Sequence, residues 1–230
     1  MSHQENTTRI KVVHNALGEL AERFFFVGGA TVSLYTDRMA DEVRPTDDVD
    51  ILIELTGRVD YAVLEEQLRS KGFANDVASG VICRYKIKGV TVDVMPTSET
   101  ILGFTNRWYT AGVQNAISVN LDENTTIRIF DPIHFLASKI EAFKSRGGND
   151  GRWSTDFEDI IYVLNNRSSI WLELRECSEP VLGYLREEIK ALLENKYLDE
   201  WIGCHLEFSE QRRGAYIIES LSEFITPTTI

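Results

Sequence analysis

Hydrophobic residues recur at helical spacing at the start of the chain and then give way to short, wholly apolar runs. The spacing from Thr8 to about Arg23 predicts an amphipathic first helix, with Thr7 or Thr8 as its cap. "RFFFVGG" is an apolar run stopped by Gly28 and Gly29, which predicts a buried strand that enters a tight turn. "ATVSLYTD" is expected to begin a second helix directly after the glycines.

The next hundred residues alternate between strand and helix patterns. "DVDILIEL" is rich in β-branched residues and predicts a strand, and "DYAVLEEQLRSKGF" predicts a helix that ends at Gly72. "GVICRYKIKGVTVDVMP" predicts two strands joined at Lys88 and Gly89, and "AISVNLDENTTIRIFDP" predicts another pair around an Asp-Glu-Asn turn. These elements indicate a small mixed sheet with helices.

The pattern changes after Asp131, where Asp followed by Pro is a typical helix start. We therefore predict an α+β fold in two domains, a mixed-sheet α/β domain over residues 1–130 and a helical domain over residues 131–230. An active site is expected in the cleft between them. The predicted helices of the second domain are Pro132 to Arg146, Thr155 to Asn165, Ser169 to Cys177, Glu179 to Glu194 and Gln211 to Phe224.

Composition and charge limit the classes of function. The hydrophobic share of 43% predicts a packed core, and the formal net charge of −12 argues against a broad nucleic-acid-binding face. One small basic site for nucleic acid remains compatible with that charge. The three cysteines are scattered without metal-ligand spacing and are expected to be free thiols. Neither a signal peptide nor an apolar run of membrane-spanning length is recognisable, so we expect a cytoplasmic protein with no membrane partner.

Aspartates are the most informative chemistry in the chain. Asp48 and Asp50 are two residues apart in a predicted strand, so both carboxylates should project to one side. A divalent cation relieves their repulsion, and Mg²⁺ suits a site of few carboxylates with phosphate oxygens and water. Asp93 lies in the apolar run "VTVDVMP", where a buried carboxylate needs a partner. If its strand adjoins that of Asp50, the three carboxylates could form a metal site for phosphoryl transfer.

The glycine pair could supply the complementary half of such a site. Backbone N–H groups at Gly28 and Gly29, ahead of a helix N-terminus, could approach phosphate oxygens closely. Phosphates at this turn and a metal at the aspartates would together form one nucleoside triphosphate site.

"FVGG" followed by "DDVDI" resembles the signature of the nucleotidyltransferase superfamily that includes polymerase β. The sequence "RPTDDVD" is similar to the motif found in AbiEii/AbiGii-type abortive-infection toxins, and the downstream segment "LASKIEAFKSRGGNDGRWSTDFEDIIYVL" adds to the resemblance. These toxins carry a Lys, an Ala and an Arg on one helix and an aspartate pair opening the next. The corresponding residues here are Lys139, Ala142, Arg146, Asp156 and Asp159.

The resemblance covers roughly Phe26 to Leu164 and implies roles for individual residues. Asp48 and Asp50 would ligate Mg²⁺, and Asp93 would complete the metal site or take the proton of the acceptor hydroxyl. Lys139 would neutralise triphosphate charge and Asp156 would belong to the downstream acidic motif, whereas Asp47 is expected to be dispensable. The implied nucleotide-binding residues are Gly28, Gly29, Thr46, Lys139 and Arg146. The segment "KSRGGNDGR" is expected to close over the nucleotide, and Lys144 and Arg152 could help to bind an acceptor end.

The resemblance also implies an activity: Mg²⁺-dependent transfer of NMP from an NTP to an acceptor hydroxyl. The protein would be the toxin of a toxin–antitoxin or phage-defence system, with a cognate antitoxin and the 3′ end of tRNA as a candidate acceptor. Two alternatives remain open. One is nucleotidylation of a small molecule, as in the aminoglycoside and lincosamide resistance enzymes, and the other is a noncatalytic nucleotide-binding or antitoxin-binding module.

Overall fold

The computed structural model describes residues 2–38, 43–146 and 150–226. The chain forms two compact units, which are described separately. The first contains Met1–Leu34 and Glu42–Asp131, and the second contains Tyr35–Asp41 and Pro132–Ile230. The predicted α+β class is confirmed: a mixed sheet occupies the earlier part of the chain and helices occupy the C-terminal part.

The first unit is built around a sheet to which seven strands of the described residues contribute. The strands are β1 (Phe24–Val27), β2 (Asp48–Ile53), β3 (Ala74–Asn75), β4 (Arg84–Ile87), β5 (Val90–Pro96), β6 (Ile117–Asp122) and β7 (Thr125–Ile129). Their order is β3-β4-β5-β2-β1-β7-β6. The helices of this unit are α1 (Ser2–Leu17), α2 (Arg58–Ser70), α3 (Glu99–Leu102) and α4 (Tyr109–Gln114).

The centre of the sheet follows from the apolar runs. All four residues of β1 are buried, and the strand lies inside the sheet, with β2 antiparallel on one side and β7 parallel on the other. β2 and β5 are parallel neighbours, paired from Asp48 with Thr91 to Ile53 with Pro96. The predicted hairpin between β4 and β5 is confirmed, and its turn residues Lys88 and Gly89 both have positive φ.

Two predictions about the first helices are wrong in detail. α1 begins at Ser2, so Thr7 and Thr8 lie inside the helix and cap nothing. The helix gives way at Gly18 (φ 56°) to a 3₁₀ segment, Gly18–Arg23, before β1. The helix predicted after the glycine pair begins at the second glycine and is also a 3₁₀ helix, Gly29–Tyr35, and not an α-helix. Propensity and spacing do not separate these two helix types, because both tolerate the same residues over so short a length.

The second unit is helical. Its helices are α5 (Pro132–Ser145), α6 (Thr155–Asn166), α7 (Ile170–Glu176), α8 (Val181–Leu193), α9 (Leu198–Cys204) and α10 (Arg213–Ile225). α5 begins at Pro132 as its Asp-Pro start predicts, and the Ser154 hydroxyl caps α6 by accepting a hydrogen bond from the Phe157 N–H at 3.2 Å. The sequence pattern did not predict α9, whose Trp201 packs edge-on against Phe143 and Phe157.

In the described ranges 2–38, 43–146 and 150–226, no helix combines the length and the apolar character needed to cross a membrane.

Candidate active site

Three aspartates meet on neighbouring strands of the first unit. Asp50 and Asp93 are register partners across β2 and β5, and Asp48 lies two residues before Asp50 on the same side of β2. The strand of Asp93 therefore adjoins the strand of Asp50, as a three-carboxylate site requires. Asp93 is the most enclosed, with 8% of its surface exposed. Asp47, which lies just before β2, is exposed.

A guanidinium lies between two of these carboxylates. Arg84 on β4 is the register partner of Asp93. Its Nε and Nη2 donate to the two Asp93 oxygens at 2.8 and 2.7 Å, and Nη2 also donates to Asp48 Oδ2 at 2.9 Å. The hydrogen bonds to Asp93, together with the charges of Asp93, Asp48 and Asp50, raise the pKa of Arg84 further above its already high usual value.

Gly28 brings the backbone of the β1 turn directly against Asp50. Its φ of 72° favours glycine, and an added Cβ would lie only 2.0 Å from Asp50 Oδ2. The Gly28 carbonyl accepts hydrogen bonds from the Thr31 N–H at 3.3 Å and the Thr31 hydroxyl at 2.9 Å, which hold the turn closed. The glycine therefore lets the Asp50 carboxylate sit at the turn where a phosphate-binding role is predicted.

Substituting Gly28 by Ala should displace Asp50. Strain from the positive φ costs about 1–3 kcal/mol of folding free energy, and the clash with the carboxylate adds to it. Gly103→Ala is the matched control, because Gly103 has φ 82° but no atom within 4 Å of its added Cβ. Urea denaturation should show the larger loss of stability for Gly28→Ala. Equal losses would mean that Asp50 moves aside at no cost.

Gly29 has a different reason to lack a side chain. An added Cβ would lie 2.7 Å from Arg44 Nη2 and 2.9 Å from Thr46 Cγ2, so the residue makes room for the segment that precedes β2.

The side chain of Asn6 on α1, which is fully buried, fixes the segment that precedes β2. It donates to the Arg44 carbonyl at 3.1 Å and accepts from the Thr46 N–H at 3.0 Å. Thr46, a predicted nucleotide-binding residue, is buried with its hydroxyl 3.3 Å from the same Asn6 oxygen.

In the second unit the predicted residues form a buried ion-pair cluster. Lys139 on α5 lies 3.1 Å from Asp156 Oδ1 and 2.6 Å from Asp159 Oδ2, both on α6. The three side chains are 9%, 5% and 1% exposed, respectively. Arg146 Nη1 lies 3.1 Å from the other Asp156 oxygen, Oδ2, and the Arg146 side chain is 72% exposed. The Lys, Arg and Asp positions of the sequence motif thus come together in space.

The remaining predicted cations pair with acidic neighbours of the second unit. Lys144 pairs with Glu188, and Arg152 pairs with Asp150 at 2.7 Å and with Glu200 at 3.0 Å. The middle of the segment predicted to close over a nucleotide, residues 147–149, lies outside the described residues.

The chemistry of the acidic cluster can be compared with what Mg²⁺ requires. Carboxylate oxygens are suitable ligands, and Asp48 and Asp93 already converge on one cationic group, the Arg84 guanidinium. With the side chains in these positions, the described part of the chain contains no group of three or more His, Cys, Asp or Glu residues arranged to hold a metal ion. The carboxylate oxygens are thus ligands of the type that a hard cation takes, and in this structure those of Asp48 and Asp93 are engaged by Arg84.

Two residues of this region, Arg84 and Asn6, were not predicted from the sequence. In the sequence, Arg84 is one of several polar residues on a strand predicted to be half exposed. Its contact with Asp93 could be inferred only from the cross-strand register, once the hairpin at Gly89 is assumed. Asn6 carries no signal at all, because a polar residue in an amphipathic helix is ordinarily solvated.

Comparison with known proteins adds no family assignment. The chain matches no protein-family profile, and no curated protein shows significant sequence similarity to it.

Proposed function

We propose that this protein is a Mg²⁺-dependent nucleotidyltransferase that transfers NMP from an NTP to an acceptor hydroxyl. The observation that carries the proposal is the acidic row on β2 and β5, with Asp50 and Asp93 in register and the Asp50 carboxylate against the Gly28 turn. Three carboxylates on adjacent strands repel one another, and a divalent cation relieves that repulsion while gaining oxygen ligands.

The residues of the first unit have distinct tasks in the proposed reaction. Asp48 and Asp50 would hold Mg²⁺, and the backbone N–H groups at Gly28 and Gly29 would bind the phosphates. Bound Mg²⁺ would supply neutralisation of triphosphate charge and alignment of the α-phosphate. The acceptor oxygen attacks the α-phosphorus, the bond to the β-phosphate oxygen breaks, and pyrophosphate leaves. Asp93, the most enclosed of the three carboxylates, would complete the metal site or take the proton of the acceptor hydroxyl.

The acceptor and the biological role are proposed from the sequence motifs. Their similarity to AbiEii-type toxins supports a toxin that acts on the 3′ end of tRNA or another cellular target, with a cognate antitoxin as partner. Lys139 is proposed to neutralise triphosphate charge, a role for which its ammonium would have to exchange away from Asp156 or Asp159.

A noncatalytic nucleotide-binding module is the second candidate. The ion pairs of Arg84 favour it, because a guanidinium held permanently by Asp48 and Asp93 would make a metal unnecessary.

Incubation of the purified protein with Mg²⁺ and each α-³²P-labelled NTP tests the proposal. Total tRNA, cell protein, and aminoglycosides or lincosamides serve as parallel acceptors. We expect label in at least one acceptor, with tRNA labelling supporting the toxin role and antibiotic labelling supporting the resistance-enzyme alternative. NTP binding without transfer to any acceptor would favour the noncatalytic module.

A further inference from the structure

The Arg84 guanidinium and a divalent cation would compete for the same carboxylate oxygens. A guanidinium and a divalent cation cannot occupy the same carboxylate oxygens, and Arg84 uses both oxygens of Asp93 and one of Asp48. Bidentate, charge-assisted bonds of this kind are among the stronger hydrogen bonds in proteins. A cation that takes these same oxygens of Asp93 and Asp48 must therefore displace the guanidinium from them.

We propose that Arg84 is a positioning residue that holds Asp48 and Asp93 together in the metal-free protein and leaves both carboxylates when a divalent cation binds. Its presence lowers the affinity for the cation and keeps the acidic row assembled without one. The inference rests on the proposed function only in taking these carboxylates as cation ligands.

The surroundings of Arg84 offer a place for the displaced guanidinium. Arg84 also lines a cavity of about 400 Å³ on the side of the hairpin, together with Glu65, Asn75, Asp76, Val77, Gly80, Val81 and Ile82. Glu65 accepts a hydrogen bond from the Tyr85 hydroxyl at 3.0 Å, and Asp76 pairs with Lys86 at 3.1 Å. Each carboxylate retains acceptor capacity beyond these bonds. The cavity thus contains two other carboxylates toward which a displaced guanidinium could turn.

The same strand provides a matched control for a substitution of Arg84. Lys86 lies two residues further along β4, on the same side of the strand, and carries the same charge. It pairs with Asp76 and not with the acidic row, and its side chain is 59% exposed. Lys86→Gln therefore removes one positive charge from β4 without releasing Asp48 or Asp93.

Binding of Mn²⁺, measured by electron paramagnetic resonance in the absence of nucleotide, tests the inference. Arg84→Gln should bind Mn²⁺ about tenfold more tightly than the wild type, since the ion no longer competes with charge-assisted hydrogen bonds. Lys86→Gln should bind it as the wild type does, or up to about twofold more tightly from the general change in charge. Unchanged or weaker Mn²⁺ binding by Arg84→Gln would show that Arg84 does not compete with the cation.

Thermal unfolding gives an independent readout. In EDTA the Arg84→Gln protein should unfold at a lower temperature than the wild type, because its carboxylates repel one another, and saturating Mn²⁺ should raise its Tm more than that of the wild type. If Arg84→Gln does not fold, Arg84→Lys replaces it, because an ammonium cannot make the two parallel bonds to Asp93. Arg84→Lys should then tighten Mn²⁺ binding several-fold, and no change would contradict the inference.

The outcome separates this inference from the proposed function. If no acceptor is ever labelled but Arg84→Gln binds Mn²⁺ more tightly, the competition is real and the transferase proposal is wrong. If the wild type transfers NMP and Arg84→Gln shows no change in Mn²⁺ affinity, the transferase proposal stands and Arg84 has only a structural role.

Discussion

Asp50→Asn is expected to reduce the rate of NMP transfer roughly a thousandfold, a loss of about 4 kcal/mol of transition-state stabilisation. Asn has nearly the same shape but no negative charge, so it binds a divalent cation poorly at the position between the Gly28 turn and Asp93. The substitution also removes one of three clustered negative charges. Stability in urea should therefore stay the same or rise slightly, which separates a loss of chemistry from a loss of fold.

Asp47→Asn is the matched control, because it removes the same charge three residues earlier in the chain. Asp47 is exposed and lies just before β2, so transfer should remain within about twofold of the wild type under equal salt. Steady-state rates with one labelled NTP and the best acceptor give the comparison. If Asp50→Asn retains a tenth or more of the wild-type rate, the acidic row is not the metal site.

Lys139→Met is expected to destabilise the second unit by about 3–5 kcal/mol, because it leaves two buried carboxylates without their shared cation. Met has a similar length and buries easily, so the loss would report the missing charge more than a cavity. Asp156 and Asp159 are only 5% and 1% exposed and cannot recover hydration without opening the contact between α5 and α6.

Urea denaturation followed by tryptophan fluorescence measures this effect, since three of the four tryptophans, Trp153, Trp171 and Trp201, belong to the second unit. Lys144→Met on the same helix is the control, because the Lys144 side chain is 46% exposed, so the loss of its pair with Glu188 should cost at most about 1 kcal/mol. Adding Asp159→Asn to Lys139→Met should restore part of the stability. Equal stability of the Lys139 and Lys144 variants would mean that the buried cluster contributes nothing.

The Lys139 result also determines how activity data are to be interpreted. A Lys139 variant that loses NMP transfer could have lost either a phosphate-binding cation or the packing of α5 on α6. Only a variant that is folded under the assay conditions, such as the charge-balanced double substitution, tests the phosphate role. Loss of transfer in that folded variant would support a role in neutralising triphosphate charge.

Much of the fold could be predicted because its signals are local. The four buried residues of β1, the Lys88-Gly89 hairpin and the Asp-Pro start of α5 each depend on neighbouring residues in the chain. The wrong predictions concern short segments, the 3₁₀ helix after Gly28 and the early start of α1. Both depend on packing that short-range propensity does not encode. The short strand β3 exists only because β4 offers it an edge.

By itself, the sequence determined that Asp48 and Asp50 share one face of a strand, because side chains alternate with a period of two. It also determined that Lys139 and Asp156 lie on consecutive helices, because helical spacing marks both and Asp-Pro marks the start of the first. Only the tertiary structure decided that β5 lies beside β2, so that Asp93 joins Asp50, and that β4 lies beside β5, so that Arg84 reaches two carboxylates. Strand order and register arise from long-range packing, and the partner of a charged side chain is known only when they are known.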